Sequence, residues 1–287
     1  MLGLLWTPQQ PFFIGKENYL KLIAVDLDGS LLTSKNNLTD FTKNTLIKAS
    51  KTGHKVVIIT GRDYYAANYI ADLLDFKKYG GLISSSNGGN VYSPQENKTI
   101  INHTIDYILA REIISYGKNL GFDTIIYHGG KILAEKKDTY SLDFLANKNK
   151  MTVEIEPKLG EDLNFPVNKI LFTGKPEIIE KNKEKLAKQF ENVINPIHAM
   201  PQFLDLMPKG INKGKSILEI ADYYKIDHKD TYAFGDEIND IEMIKMAGTG
   251  VAMGNASDYV KKIADFVTKS NDDDGIAHFV NEYIIKE

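Results

Sequence analysis

The sequence predicts an α/β fold: a Rossmann-like core with a parallel sheet, interrupted by an inserted α+β domain. Near both ends of the chain, short apolar runs rich in β-branched residues alternate with helical segments, which is typical of βαβ units. The middle of the chain has its own order of strands and helices. A length of 287 residues accommodates one large domain or two smaller ones, so this division is allowed.

The first part of the predicted core spans residues 19–88. Its strands are apolar runs that end in compact polar loops, and its helices show one apolar side. The predicted strands are Leu20–Val25, Lys55–Thr60 and Gly81–Ser84, and the predicted helices are Thr39–Lys51 and Asp63–Leu74. Residues 1–18 precede this pattern and are interpreted as an N-terminal extension, in which Pro8 and Pro11 disfavour a helix.

The inserted α+β domain is predicted for residues 89–198. Thr152–Glu156 and Asn168–Thr173 alternate as half-exposed strands do, and Pro176–Phe190 is a Lys/Glu-rich amphipathic helix. The other predicted elements are the helices Ile105–Leu120 and Thr139–Asn149 and the strands Phe122–Tyr127, Lys131–Glu135 and Val193–His198.

The core pattern is predicted to resume over residues 199–287, after one more strand-like segment, Gln202–Met207. The predicted strands are then Thr231–Phe234, Gly250–Met253 and Phe266–Thr268, and the predicted helices are Lys213–Tyr224, Ile238–Ala247, Asp258–Ala264 and Gly275–Ile285. A single core sheet would therefore be assembled from two separate segments of the chain.

Composition excludes several classes of protein. The chain contains no cysteine, which excludes a disulfide scaffold, a Cys-ligated metal site and thiol catalysis. The 35 Lys and Arg residues and 38 Asp and Glu residues give a net charge of -3, which argues against a nucleic-acid partner. No run approaches the roughly 20 apolar residues of a membrane span, and the positive start of a signal peptide is missing. We therefore expect a soluble cytoplasmic protein with no membrane partner; the sequence does not indicate its oligomeric state.

Three buried strands end in polar loops that could form one site. Asp26, Thr60 and Asp236 follow different strands of the predicted parallel sheet, and ligands bind beyond the carboxyl ends of such strands. Carboxylates that meet there repel each other, so a cation is expected. With oxygen ligands and no cysteine, Mg²⁺ is the natural candidate.

Such a site suits phosphoryl transfer. A carboxylate can itself attack phosphorus and form an aspartyl-phosphate, and a second carboxyl group can protonate the leaving oxygen and then activate water. Alternation along an extended segment places Asp26 and Asp28 on the same side, with Leu27 pointing away.

Four segments in order resemble the motifs of the haloacid dehalogenase superfamily. These segments are Asp26-Leu27-Asp28-Gly29-Ser30-Leu31, Thr60-Gly61-Arg62, Lys213 within Gly210-Ile211-Asn212-Lys213-Gly214, and Gly235-Asp236-Glu237-Ile238-Asn239-Asp240. Their spacing is similar to that of the Cof-like phosphatases, the subgroup with a large α/β cap (type IIB) between the second and third motifs. The resemblance covers roughly residues 19–285 and identifies the inserted domain as this cap.

The resemblance implies a role for each matching residue. Asp26 would be the nucleophile and a Mg²⁺ ligand, and Asp28 the general acid/base, with its backbone carbonyl also on the metal. Lys213 would neutralise charge on Asp26 and phosphate, and Asp236 would be the third protein ligand. Asp240 would hold metal-bound water.

Further matches concern phosphate and substrate. Thr60 and the Gly61 backbone would bind the transferring phosphoryl group, and Asn239 would brace Lys213 or phosphate. Arg62 would contact substrate or pair with an acid. The remaining candidates are Asn87 and Gly88, near the core–cap junction and the substrate, and Asp205, for which structural pairing is expected.

These residues also have structural interpretations. An Asp at a strand end is often a helix cap or turn residue, and Thr60-Gly61 alone would be an ordinary turn. Two acids directly after a buried run are costly without a role, however, and a lysine at a helix start opposes the helix dipole. The sequence therefore predicts a Mg²⁺-dependent phosphatase acting on a small phosphorylated metabolite such as a sugar phosphate. A phosphomutase is the enzyme alternative. A non-catalytic phosphate-binding regulatory protein is the other, although it would not need an acid/base residue.

Overall fold

The structure, a computed structural model, describes residues 20–285, so the N-terminal extension predicted for residues 1–18 lies outside it. Within this range, no helix combines the length and the apolar character that crossing a bilayer requires. The strands are β1 (Leu22–Val25), β2 (Lys55–Ile59), β3 (Leu82–Ser85), β4 (Asn90–Ser93), β5 (Lys98–Asn102), β6 (Asp123–His128), β7 (Lys131–Ala134), β8 (Thr152–Ile155), β9 (Ile170–Thr173), β10 (Ile194–Met200), β11 (Phe203–Pro208), β12 (Thr231–Gly235), β13 (Thr249–Ala252) and β14 (Phe266–Val267).

The α-helices connect these strands in the predicted alternation. They are α1 (Asp40–Lys51), α2 (Tyr64–Leu73), α3 (Phe76–Tyr79), α4 (Tyr107–Asn119), α5 (Leu142–Asn149), α6 (Leu159–Asp162), α7 (Pro176–Gln189), α8 (Lys213–Tyr224), α9 (Ile241–Met246), α10 (Asp258–Ile263) and α11 (Gly275–Phe279). Two predicted helices are divided: a 3₁₀ turn (Ile238–Asp240) precedes α9, and a π-helical turn (Val280–Ile284) follows α11. The other predicted elements are present, with ends that differ by a few residues.

The larger sheet has eight strands in the order β14-β13-β12-β1-β2-β3-β4-β5. Its first six strands in this order are parallel, and β4 and β5 extend it as antiparallel strands. β1 lies inside the sheet and is completely buried. This confirms the predicted α/β class with a parallel sheet.

Helices cover both faces of this sheet, which explains why its strands read as continuous apolar runs. On one face, Ile23 and Val25 pack in a cluster with Leu46 of α1 and Ile70 of α2. On the other face, the cluster contains Leu22, Ala24, Ile217 and Ile220 of α8, and Met243 of α9. We call the eight-stranded sheet and these helices the core unit.

A second sheet has six strands in the order β10-β11-β9-β6-β7-β8, all antiparallel except the β7–β8 pair. We call this sheet and helices α4–α7 the inserted unit. Asn168–Thr173 is not half-exposed as predicted, because β9 is an inner strand whose residues are all buried. Phe172 of β9 faces α4 and α7, whereas Leu171 packs in a cluster that includes Ala66 of α2 from the core unit.

The chain passes from the core sheet to the second sheet, and back again, later in the sequence than the predicted boundaries. β4 and β5 fall inside the predicted insertion of residues 89–198 but belong to the core sheet, and β11 falls outside it but belongs to the second sheet. The short strand β4 pairs with β3 only after a turn through Asn87 and Gly88, a connection that carries no strong strand signal. We propose that the inserted unit runs from His103 to Lys209.

Candidate active site

The loops after β1, β2 and β12 meet at one edge of the core sheet. These strands are neighbours and parallel, so Asp26, Thr60 and Asp236 emerge side by side. The backbone N–H of Asp26 donates to Phe234 O at 3.0 Å, which links the first and last of these strands. All three predicted residues line one cavity of about 390 Å³, as do Gly61 and Asn239.

Lys213 is the only cation that the described part of the chain places against the buried cluster of Asp26, Asp236 and Asp240, and it binds two of these carboxylates. Its Nζ lies 2.5 Å from Asp26 Oδ1 and 2.6 Å from Asp240 Oδ1. Lys213 is the first residue of α8 and is only 1% exposed, so it is not a lysine held in solvent at the start of a helix. The carboxylates oppose the unfavourable helix dipole at this position.

Hydrogen bonds from nearby residues hold the other two acids, Asp236 and Asp240. Asp236 Oδ1 accepts a hydrogen bond from Ser30 Oγ at 2.9 Å. Asp240 Oδ2 accepts from the N–H groups of Asp236 and Glu237, both at 3.0 Å. Gly29 has φ +80°, and a Cβ there would lie 2.2 Å from Asp236 Oδ2, so the first motif needs glycine to approach Asp236 this closely.

Burial and neighbouring charges together shift the pKa values of these groups. Burial raises the pKa of Asp26 well above its usual value, and Lys213 offsets this only in part. Burial likewise raises the pKa of Asp236 to about 7, with Asp240 adding to the shift. Burial disfavours the charge of Lys213, but Asp240 and Asp26 outweigh it and raise its pKa. Shifts of this kind are typical of functional sites.

The donor set fits a divalent cation. Asp26, Asp236 and Asp240 each offer an oxygen within 4.8 Å of the others. Three negative charges face one ammonium group, which leaves an excess of two negative charges when all are ionised. Buried charge of this size requires compensation, and oxygen donors suit Mg²⁺. Because Asp240 already binds Lys213 and two backbone N–H groups, Asp26 and Asp236 are the better placed ligands.

Asp28 faces the cavity but is held by two cations. Arg62 donates to both of its carboxylate oxygens, at 2.9 and 2.6 Å, and Lys148 of α5 lies 3.5 Å from Oδ1. Burial would raise the pKa of Asp28, but these cations outweigh it and lower the pKa. Of the two possibilities for Arg62, the structure has the pairing with an acid. Lys148 was not predicted, and it brings the inserted unit to the predicted acid/base residue.

Some of the predicted phosphate and substrate residues line the cavity, and others do not. Asn239 lines the cavity, but its amide donates to Asn87 Oδ1 at 3.2 Å and is not bonded to Lys213. Asn87 is buried, and neither it nor Gly88 is among the described residues that line the cavity. Gly88 has φ +101°, and a Cβ there would lie 2.7 Å from Asn212 O, which indicates a close approach of two backbones.

The inserted unit supplies one wall of the cavity, and the sequence did not identify the residues that form it. Most of its cavity-lining residues are apolar or aromatic, namely Tyr127, Phe144, Leu145, Leu171, Ile197, Met200 and Phe203. Its charged residues in the lining are Lys148, Lys169 and Asp205. The expected pairing of Asp205 is present, because Lys169 Nζ lies 3.2 Å from its Oδ1. A lysine directly before a buried apolar strand was the one available signal for Lys169.

Known proteins are similar to this chain in sequence and fold. A family model described as haloacid dehalogenase-like hydrolase matches residues 23–280. The 5-amino-6-(5-phospho-D-ribitylamino)uracil phosphatase YitU of Bacillus subtilis is 30% identical over 272 residues, which span 91% of this chain and 97% of that protein.

Solved structures agree. A haloacid dehalogenase-like hydrolase from Bacteroides thetaiotaomicron superposes with a TM-score of 0.84 and 31% identity, covering 91% of this chain and 98% of that one. A sugar phosphatase of HAD subclass IIB superposes with a TM-score of 0.77 and 25% identity, covering 92% and 98%.

Proposed function

The chain belongs to the haloacid dehalogenase-like hydrolases, and from this membership we propose that it is a Mg²⁺-dependent phosphatase that hydrolyses small phosphorylated metabolites through an aspartyl-phosphate on Asp26. The phosphatase class rests on its relatives, which are named phosphatases. The observation that supports the mechanism is the group of buried carboxylates around Lys213 at the edge of the core sheet.

In the first step, an Asp26 carboxylate oxygen attacks phosphorus and the bond from phosphorus to the leaving oxygen breaks. The proton of the Asp28 carboxyl group passes to that oxygen, and the leaving group departs as a neutral alcohol. Lys213, already 2.5 Å from Asp26, favours the charged form of the nucleophile. The Thr60 hydroxyl and Gly61 N–H would donate to the phosphoryl oxygens, as donors in such sites stabilise developing charge.

In the second step, Asp28 accepts a proton from water, whose oxygen attacks the aspartyl-phosphate. Inorganic phosphate leaves and the Asp26 carboxylate is restored. Arg62 and Lys148 lower the pKa of Asp28 and so favour the carboxylate that this step needs. A bound phosphate ester that draws these cations toward itself would raise the pKa of Asp28 again, as the first step requires.

Asp26, Asp236 and the backbone carbonyl of Asp28 would hold the Mg²⁺ ion, with Asp240 supporting the site. When bound, the ion neutralises charge on the phosphoryl oxygens. Ser30 and Gly29 position Asp236 for this role, by a hydrogen bond and by close approach respectively.

The substrate is proposed to be a sugar phosphate or a similar metabolite. One relative is named for a phosphoribitylaminouracil and a structural neighbour for sugar phosphate hydrolysis. The cavity of about 390 Å³ has room for such a leaving group beside the phosphoryl group.

Purified protein incubated with p-nitrophenyl phosphate, sugar phosphates and 5-amino-6-(5-phospho-D-ribitylamino)uracil, with Mg²⁺ or with EDTA, tests the proposal. We expect phosphate release that requires Mg²⁺. Folded protein that releases no phosphate from any of these compounds in Mg²⁺ would refute the phosphatase proposal. A rearranged phosphate ester without free phosphate would indicate the mutase.

A further inference from the structure

Lys169 is a buried lysine of the inserted unit that reaches the loop after β2 in the core unit. It is 7% exposed, and its Nζ donates to Gly61 O at 2.9 Å. The same Nζ pairs with Asp205 of the adjacent strand β11 and lies 5.2 Å from the centre of the Tyr127 ring. The pair with Asp205 compensates the burial of the ammonium group, so the bond to the Gly61 carbonyl is an additional contact between the two units.

The contacts of Lys169 close a ring that joins the two units. Asn87 Nδ2 donates to Asp205 Oδ2 at 3.1 Å, and Asn87 N donates to Thr60 O at 2.9 Å. A Cβ on Gly61 would lie 3.1 Å from Asn87 Oδ1, so the loop is tightly packed against this ring. The Thr60-Gly61 segment is therefore held from the core side by Asn87 and from the inserted unit by Lys169.

The bond to Gly61 fixes one peptide group at both ends. The Gly61–Arg62 peptide accepts from Lys169 at its carbonyl, and its N–H donates to Thr60 Oγ1 at 3.1 Å. Because the Thr60 hydroxyl accepts this bond, its own hydrogen remains available to donate elsewhere. A rotation of the peptide would remove the N–H from Thr60 and release the hydroxyl from its orientation.

We propose that Lys169 is a positioning residue: it fixes the Gly61–Arg62 peptide from the inserted unit and thereby orients the Thr60 hydroxyl toward the transferring phosphoryl group. The inference rests on the proposed function of the site. It assigns to the inserted unit a part in binding the phosphoryl group, in addition to lining the space for the leaving group.

The test compares Lys169→Met with the double variant Lys169→Met/Asp205→Asn, which leaves no buried charge unpaired. Lys169→Arg retains a donor. The control Lys131→Met removes a lysine on β7 whose ion pair with Glu154 is exposed. Circular dichroism establishes that each variant is folded. kcat and KM are measured for p-nitrophenyl phosphate and for one sugar phosphate, and orthovanadate binding in Mg²⁺ is measured by calorimetry.

We expect both Met variants to lose kcat by about 10- to 100-fold, equally for the two substrates and with little change in KM, as misplacing a binding group does. Orthovanadate binding should weaken in the same variants, whereas Lys169→Arg and Lys131→Met should retain most of the activity. Recovery of kcat and orthovanadate binding in the double variant would overturn the proposal, because it would show that Lys169 only neutralises the charge of Asp205. A rise in KM that differs between the two substrates would also overturn the proposal, because it would indicate that Lys169 contacts the leaving group directly.

Unchanged kcat and orthovanadate binding in an otherwise active protein would also overturn the inference. Wild-type protein that binds orthovanadate but hydrolyses nothing would instead refute the proposed function, and the binding measurement would still decide the role of Lys169.

Discussion

Replacing Lys213 with Met should destabilise the protein strongly when Mg²⁺ is absent. Lys213 and its two partners, Asp26 and Asp240, are at most 4% exposed, and the two hydrogen bonds are 2.5 and 2.6 Å long. The substitution leaves the carboxylates buried beside each other with no cation. Removing one partner of a buried ionic group costs about 3–5 kcal/mol. At about 2–4 °C per kcal/mol for a domain of this size, Tm should fall by about 6–20 °C.

The same reasoning gives the effect of Mg²⁺ on this variant. A divalent cation at Asp26 and Asp236 supplies the positive charge that the variant lacks. The rise in Tm when Mg²⁺ replaces EDTA should therefore be larger for Lys213→Met than for the wild type. Thermal melts followed by circular dichroism at about pH 8, where the carboxylates are most fully ionised, measure both quantities.

Lys215 provides the matched control. It lies on the same helix, and its side chain is half exposed and pairs with Glu219 at 3.3 Å. Exposed pairs contribute at most about 1 kcal/mol, so Lys215→Met should shift Tm by only a few degrees. If Lys213→Met in EDTA melts as Lys215→Met does, the buried carboxylates do not depend on Lys213 for charge compensation.

Three other results are expected. Asp26→Asn should lower kcat by at least about 10³-fold and leave the circular dichroism spectrum unchanged, because an amide is not a nucleophile; retained turnover would remove Asp26 from that role. In EDTA, urea titrations should show stability decreasing from about pH 5 to pH 7.5, because the raised pKa of Asp236, about 7, means that the folded state holds a proton that the unfolded state has lost; an equal decrease in Asp236→Asn would contradict this assignment. Gly29→Ala should abolish activity and weaken Mg²⁺ binding in calorimetry, because the added Cβ meets Asp236, whereas Gly210→Ala, with φ +78° and no atom within 4 Å of the Cβ, should incur only the backbone strain and remain active.

The inner strands of the core were predictable because they are buried on both faces. Such strands appear in the sequence as continuous apolar runs, and helices of ordinary length separate them. β4 and β5 were missed because they are the last two strands at one end of the sheet, where polar residues interrupt the apolar pattern: Asn90 begins β4 and Lys98 begins β5. The proposed boundaries of the inserted unit, His103 and Lys209, therefore lie later than the predicted ones.

In the site, the residues that the sequence could predict are those whose position follows from the order of the strands in the sheet. Asp26, Thr60 and Asp236 follow neighbouring parallel strands, so the topology brings them together whatever the side chains do. The partners of Arg62 and Asn239 were not determined in this way. Each depends on how a side chain packs against residues that are distant in sequence, which no local pattern encodes.

Lys148 and Lys169 show why the insertion matters to the chemistry. Both come from the inserted unit, yet Lys148 lies 3.5 Å from the Asp28 carboxylate and Lys169 lies 2.9 Å from the Gly61 carbonyl. Displacing the inserted unit would therefore remove a cation from Asp28, the proposed acid/base residue, and a donor from the Thr60-Gly61 loop. A substrate that holds the two units in contact assembles both parts of the site, so binding energy from the leaving group can contribute to catalysis at phosphorus.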